Sequence, residues 1–456
     1  MYLEDTIAAI ATPVGCGGIG IVRVSGPDAS SIADKVFKKQ GNGGLESHRF
    51  YYGRIFDPAD NTLIDEGMGV LMCAPRSYTR EDVLELHCHG GYLVVQRVLD
   101  ACLLAGARLS DAGEFTRRAF LNGRIDLCQA ESIIDLINSR TEMSLAFAQS
   151  QREGSLSGRL GEIAGSLRNA LALIEAFIDF PEEDLDAATL VQIESLVDRS
   201  RDSLGILLDS YAHGKVIRDG ISVLLAGKPN VGKSSLLNAL TREQRAIVSH
   251  IPGTTRDVIE EIINIDGLPV RIIDSAGIRD SHDEIEQEGI RRSLEKLALA
   301  DLVLFMVDGS AVIDRQDRDL MQALSGKRFI TVVNKADLPA GLDVSELPDD
   351  AGTVHVSSKD GSGMDHLRSA IFHCFVSEQV LTSRDHVAIT SVRHRDILAR
   401  ALDGLAGFDA QLAGGASGEL LAIDLRDTLA AIGEITGETT PDSILDIIFS
   451  SFCIGK

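Results

Sequence analysis

The residues best suited to chemistry lie in "GKPNVGKS", Gly227 to Ser234, which fits G-x-x-x-x-G-K-[ST]. It follows the β-branched run "ISVLLA" and opens the helical segment "SLLNAL". Strand, glycine loop and helix are the context in which backbone N–H groups converge on phosphate oxygens. Lys233 then supplies a cation for the β- and γ-phosphates, and the Ser234 hydroxyl is a ligand for Mg²⁺. Three further loops follow runs that read as strands. "DSAG" (Asp274, Ser275, Ala276, Gly277) offers an aspartate toward Mg²⁺ and a glycine N–H toward the γ-phosphate. "NKAD" (Asn334, Lys335, Ala336, Asp337) ends in a carboxylate that can accept two hydrogen bonds from guanine N1 and N2, which adenine does not offer. "SSK" (Ser357, Ser358, Lys359) follows "VHV" and would back the base.

Four such motifs in this order, each after a strand, resemble the Ras-like superfamily of GTPases. In Ras a glutamine after the DxxG motif orients the hydrolytic water. Here Ile278 stands there and cannot hydrogen-bond. The water-orienting group must come from elsewhere, and "GIRDSHDEIEQEGI" offers several acids among which the residues alone do not choose.

Short β-branched runs alternate with helical segments over residues 216–381, the pattern of βα units around a parallel sheet. The first ~120 residues read as α/β. "IGIVRVSG" alternates like a strand, "DVLELHCHGG" places Leu84, Leu86 and Cys88 on one face, and "GYLVVQRVLDACLLAG" has helical spacing that stops at Gly106. Long stretches poor in Gly and Pro, such as "LCQAESIIDLINSRTEMSLAFAQSQ", predict a helical bundle over 120–215, and the chain turns helical again after 381. The expected division is therefore 1–119, 120–215, 216–381 and 382–456, with the α/β unit inserted into one helical domain.

A chain of 456 residues with 44% hydrophobic and 25% charged residues is ordinary globular material that buries large cores. No apolar run approaches the ~20 residues of a membrane span. The start, "MYLEDTIAAIATPVG", lacks the basic region of a signal peptide. Seven scattered cysteines predict reduced thiols and a cytoplasmic location. A net charge of −24 argues against broad binding to nucleic acid or anionic membranes and leaves room for a local basic patch. "GCGGIG" satisfies G-x-G-x-x-G but runs into a strand-like segment, so a tight turn is expected rather than a dinucleotide site. His87 and His89 share a strand face and lack further metal ligands at suitable spacing, so they read as surface histidines.

The terminal "FCIGK" places Cys453 fourth from the end, but Gly455 and Lys456 suit no prenyl transfer and the upstream residues are acidic. This tail, with "DTIAAIATPVGCGGIGIVRVSG", "GEFTRRAFLNGRIDL" and "IPGTTRD", identifies the chain as similar to the MnmE (TrmE) family, nearly end to end. The resemblance implies a folate-binding-like N-terminal α/β domain, a discontinuous helical domain and an inserted Ras-like P-loop G domain. It implies a GTPase that works with the flavoprotein MnmG, as a heterotetramer, on C5 of the tRNA wobble uridine. The group installed is of aminomethyl or carboxymethylaminomethyl type, and its one-carbon unit comes from 5-formyl- or 5,10-methylene-tetrahydrofolate. Homodimers through the N-terminal domains and pairing of G domains during hydrolysis are also implied.

Carried over by position, Glu286 orients the water, and Asn230, Ser249, Ile251 and Thr254 hold K⁺. Thr255 joins Ser234 on Mg²⁺. The nucleotide loops extend to Val231, Gly232, Ser235, His250, Pro252 and Gly253. Arg23, Glu81, Arg124 and Lys456 match the folate positions, and Cys453 is a candidate nucleophile with packing as its alternative. Arg124 stands where many relatives have lysine, and Ser249 and Ser275 where threonine is usual. The competing function is a ribosome-assembly or RNA-chaperone GTPase, which typically appends a small RNA-binding domain in place of a folate-like domain and this tail.

Overall fold

The computed structural model describes residues 5–13, 15–41, 43–179, 187–243, 261–273, 297, 299–348, 352–376 and 387–456. The chain divides into two compact units, Met1–Ile134 with Leu429–Lys456, and Asp135–Thr428.

The first unit is built on a seven-stranded sheet. Its strands are β1 (Ile7–Ile10), β2 (Gly17–Ser25), β3 (Phe37–Lys39), β4 (Phe50–Phe56), β5 (Leu63–Met72), β6 (Val83–Gly90) and β7 (Arg108–Leu109). They lie in the order β3-β4-β5-β6-β2-β1-β7. Alternation decides the two faces. Val22 and Val24 of β2 and Leu84, Leu86 and Cys88 of β6 join one core with helices Ala29–Val36 and Tyr92–Leu104. Burial pushes the Cys88 thiol up to about 11 and that of Cys102 to about 12, so both are inert packing groups. The intervening residues Arg23, Glu85, His87 and His89 take the other face, with Arg23 opposite Glu85. Since β2 continues straight out of the glycines, "GCGGIG" leads into a strand and no dinucleotide-binding helix follows. His87 is less exposed than expected of a surface histidine, with 20% of its side chain accessible and its ring edge-on to Phe50 at 5.2 Å.

Helices Glu114–Leu121, Leu127–Asn138 and Asp442–Ser450 follow. Leu127, Leu445, Phe449 and Phe452 form an apolar cluster with Phe120 against it. Phe452, the first residue of the tail signature, is thus a packing residue.

The "LCQAESIIDLINSRTEMSLAFAQSQ" stretch, which runs from the first unit into the second, is two helices. Thr141 Oγ1 accepts from the Ser144 amide at 3.2 Å and Ser144 Oγ accepts from the Thr141 amide at 3.1 Å, a reciprocal cap that starts a new helix, Glu142–Arg152. Among the described residues, helices Ser155–Asp179, Ala187–Asp209, Tyr211–Asp219, Val392–Ala413 and the first part of Gly418–Thr436 continue the helical part. A six-stranded sheet follows from β8 (Ile221–Ala226), β9 (Glu261–Ile265), β10 (Leu268–Ile273), β11 (Leu302–Asp308), β12 (Phe329–Asn334) and β13 (Thr353–His355). Its order is β13-β12-β11-β8-β10-β9, all parallel except β9. Strands β8, β11 and β12 are buried nearly throughout, as a parallel sheet covered on both faces requires. Among the described residues no helix is long and apolar enough to cross a membrane.

Candidate functional site: nucleotide loops and a docked C-terminal tail

The loops that leave the carboxyl ends of β8, β11, β12 and β13 meet where open α/β sheets bind ligands. Gly227–Gly232 connects β8 to helix Lys233–Glu243. Gly232 has φ +100°, and a Cβ there would lie 2.2 Å from Asn334 Nδ2, so only glycine lets the two loops approach. Asn334 ties both loops together. Its Nδ2 donates to Val231 O at 2.7 Å, and its Oδ1 accepts from the Ser358 amide at 3.1 Å and from Ser358 Oγ at 2.9 Å.

Lys233 Nζ donates to Gly227 O at 2.6 Å and to Lys228 O at 3.0 Å, which aims the ammonium across its own loop. Lys335, at φ +63°, donates to Asp308 Oδ2 at 2.6 Å. Against the cost of burial, hydrogen bonds from Lys335 and Ser310 hold the Asp308 carboxyl below the usual carboxylate range. Asp337 is exposed, and its Oδ1 accepts from Ser357 Oγ at 2.9 Å. One oxygen is therefore oriented from behind while the carboxylate keeps acceptor capacity for a base edge. Asn230, Ser234, Ser235 and Lys359 are exposed around this cleft, with Asn230 at φ +66°. Ser249, His250, Ile251, Pro252, Gly253, Thr254, Thr255, Asp274, Ser275, Ala276, Gly277 and Glu286 lie outside the described residues.

The first unit gathers a second set of predicted residues. Arg23 Nε donates to Glu85 Oε1 at 2.8 Å, and its Nη1 donates to the Gly455 carbonyl at 3.3 Å. Its guanidinium carbon lies 5.9 Å from the Tyr78 ring centroid, and that of Arg124 lies 5.0 Å from the same ring. Arg124 also donates to Ser77 O at 2.9 Å. Glu81 Oε2 accepts from Ser25 Oγ at 2.7 Å, and Arg118 Nη1 lies 3.3 Å from both of its carboxylate oxygens.

The tail is seated on this unit by backbone contacts. Ala112 and Ile454 form a bridge, and the Gly113 amide donates to Cys453 O at 3.4 Å. Gly455 has φ +91°, and a Cβ there would sit 2.2 Å from Ile10 O. Cys453 is exposed, and the Lys456 amide donates to Cys453 O at 3.3 Å.

Chemically this corner offers two guanidinium groups over one aromatic ring, a carboxylate acceptor beside them and an exposed thiol on the tail. Sequence reading missed Glu85, Tyr78 and Arg118. Arg118 is 3% exposed and joins Asp5, Glu81 and Glu114, so it scaffolds the Glu81 side of the corner. His87 beside it, and then the Arg23 guanidinium, hold the Glu85 carboxyl below the usual carboxylate range despite burial. The signal in the sequence for Glu85 was its place on the same strand face as His87, and its position opposite Arg23 came from the strand pairing. Among the described residues no group of His, Cys, Asp and Glu is placed to hold a metal ion.

A family model described as the MnmE helical domain matches residues 127–453, and one described as the GTP-binding protein TrmE N-terminus matches residues 6–124. The chain belongs to the MnmE family. The tRNA modification GTPase MnmE of Geobacter sulfurreducens is 57% identical over 459 residues, covering 100% of both chains. Its counterpart in Geobacter metallireducens is 56% identical over 457 residues with the same coverage. Among solved structures, the G domain of the T. maritima FeoB iron transporter matches 34% of this chain and 97% of that one, at 27% identity and a TM-score of 0.24. As a MnmE-family chain it is a GTP hydrolase, combining a TrmE N-terminal domain, the family's helical domain and a P-loop G domain.

Proposed function

We propose that this MnmE-family GTPase is activated by potassium and, with the flavoprotein MnmG, modifies C5 of the wobble uridine of certain tRNAs. The product carries an aminomethyl or carboxymethylaminomethyl-type group whose one-carbon unit comes from a tetrahydrofolate derivative. The observation that carries this reading is the seating of Gly455 on Arg23 beside Tyr78 and Arg124, which brings tail and candidate folate residues to one corner. The corner suits a folate: stacked cations and an aromatic ring accept a planar heterocycle with an anionic tail, and Glu81 accepts from ring N–H groups. Bound there, the folate supplies the one-carbon unit. Arg23, Glu81, Arg124 and Lys456 bind and orient it, and Cys453 lies on the tail that closes against them.

In the G domain, Lys233 meets the β- and γ-phosphates, Ser234 and Thr255 bind Mg²⁺, and Asp337 reads the base. Asn230, Ser249, Ile251 and Thr254 hold K⁺, and Glu286 orients the attacking water in place of the glutamine that Ile278 displaces. The protein works in the cytoplasm as a homodimer joined through N-terminal domains 1–119. G domains 216–381 pair during hydrolysis, each inserted between helical segments 120–215 and 382–456, and MnmG completes a heterotetramer.

A strain lacking this protein, examined by mass spectrometry of tRNA wobble uridines, is expected to lose the modified base and regain it on complementation. An unchanged uridine profile refutes the reading. In vitro, Glu286→Ala is expected to bind GTP normally and turn it over at least roughly tenfold more slowly, the low end for loss of a water-orienting group. Equal hydrolysis rates in sodium and potassium would rule out the K⁺ assignment.

A further inference from the structure

The P-loop contains a second lysine that phosphate chemistry does not use. Lys228 Nζ donates to Asp314 Oδ2 and to Asp317 Oδ2, each at 2.8 Å, and the side chain is 16% exposed. The two aspartates start helix Arg315–Ala323 as a reciprocal cap. Asp314 Oδ1 accepts from the Asp317 amide at 3.1 Å, and Asp317 Oδ2 accepts from the Asp314 amide at 3.2 Å. The Asp317 side chain is 3% exposed, and among the described residues its Oδ1 has no hydrogen-bond partner. A buried carboxylate with one dry oxygen is costly unless a cation compensates it. Lys228 is that cation, and hydrogen bonds to Asp314 and Asp317 hold its ammonium above the ordinary lysine range.

The main chain of the same residue has a different task. Lys228 O, with Gly227 O, accepts from Lys233 Nζ. The loop between these lysines holds Asn230 in the left-handed region at φ +66°, which costs energy for a residue with a Cβ, and includes Gly232 at φ +100°, whose backbone freedom must be removed. We propose that Lys228 is a positioning residue, clamped by Asp314 and Asp317, that fixes the P-loop main chain so that Lys233 is already in place when GTP arrives. The clamp ties the loop after β8 to the helix after β11, and the ordering cost is met on folding rather than on binding. Its effect falls on nucleotide affinity and not on the hydrolytic step.

The test uses the full chain and a fluorescent guanine nucleotide. Lys228→Met keeps the aliphatic stem and removes the charge. It is expected to raise the Kd for GDP and GTP about tenfold, mainly through faster dissociation, and to raise KM for GTP with kcat within about twofold. Lys228→Arg, which can bridge both carboxylates, is expected to restore affinity to within about threefold. Because Lys228→Met leaves Asp317 uncompensated and can lower stability, the double variant Lys228→Met/Asp317→Asn is measured alongside. It is expected to show the same affinity loss as Lys228→Met, not a multiple of it. Unchanged nucleotide dissociation in the double variant overturns the proposal, as does a fall in melting temperature without any change in Kd, which marks a purely structural ion cluster.

Discussion

Replacing Asp337 with asparagine is expected to exchange the nucleotide that this protein prefers. Guanine presents N1–H and N2–H₂ to a carboxylate, and each hydrogen bond to a charged group contributes about 1.5–3 kcal/mol. Losing both donors' charged partner therefore weakens GDP and GTP by roughly two to four orders of magnitude. Xanthine carries an oxygen where guanine carries its amino group, and the asparagine amide can donate to it. Affinity for xanthosine nucleotides is expected to rise accordingly. Ser357 Oγ can still donate at 2.9 Å to the side-chain oxygen at this position, so the loop is expected to keep its geometry. Competition between GDP and XDP against a fluorescent nucleotide reads both changes. GDP affinity unaltered in the Asp337→Asn protein would show that the base is recognised elsewhere.

Removing the last four residues is expected to abolish wobble-uridine modification while folding and basal GTP hydrolysis persist. The deletion takes Cys453, Ile454, Gly455 and Lys456 but spares Phe449 and Phe452, the buried residues that anchor the terminal helix. Cys453 and Ile454 are themselves exposed, so little apolar burial is lost. What disappears is the Ala112–Ile454 bridge and the Gly455 carbonyl on Arg23. Gly455→Val makes the same test without truncation. A Cβ 2.2 Å from Ile10 O, at a φ of +91°, prevents the tail from seating as it does here. Cys453→Ser then separates two roles for the tail. Lost modification with retained folate binding places chemistry at sulfur, and full modification leaves only packing. Normal modification by the truncated protein would mean that the seated tail has no part in the reaction.

The candidate nucleotide loops were legible in the sequence because their pattern is local. The P-loop is a few consecutive residues between the buried β-branched strand β8 and the start of helix Lys233–Glu243, so strand, loop and helix can be read from period and composition alone. The face of β6 occupied by Leu84, Leu86 and Cys88 was legible for the same reason: a period of two leaves a trace. Arg23, Glu81 and Arg124 left no such trace, since a lone charge on a strand reads as solvent-exposed, and only resemblance singled them out. Their partners required the folded chain. Arg23 meets Gly455 across 432 positions, and Lys228 meets Asp314 and Asp317 across 86 and 89. The split of one long helical stretch at Thr141 was hidden because Thr and Ser in a polar run become a cap only when their side chains turn back on the backbone. Residue type and spacing therefore determined which loops are candidates for nucleotide chemistry in this protein. The tertiary structure decided which distant groups hold that chemistry and its tail in place, because pairing through space depends on the path of the chain, which no local pattern records.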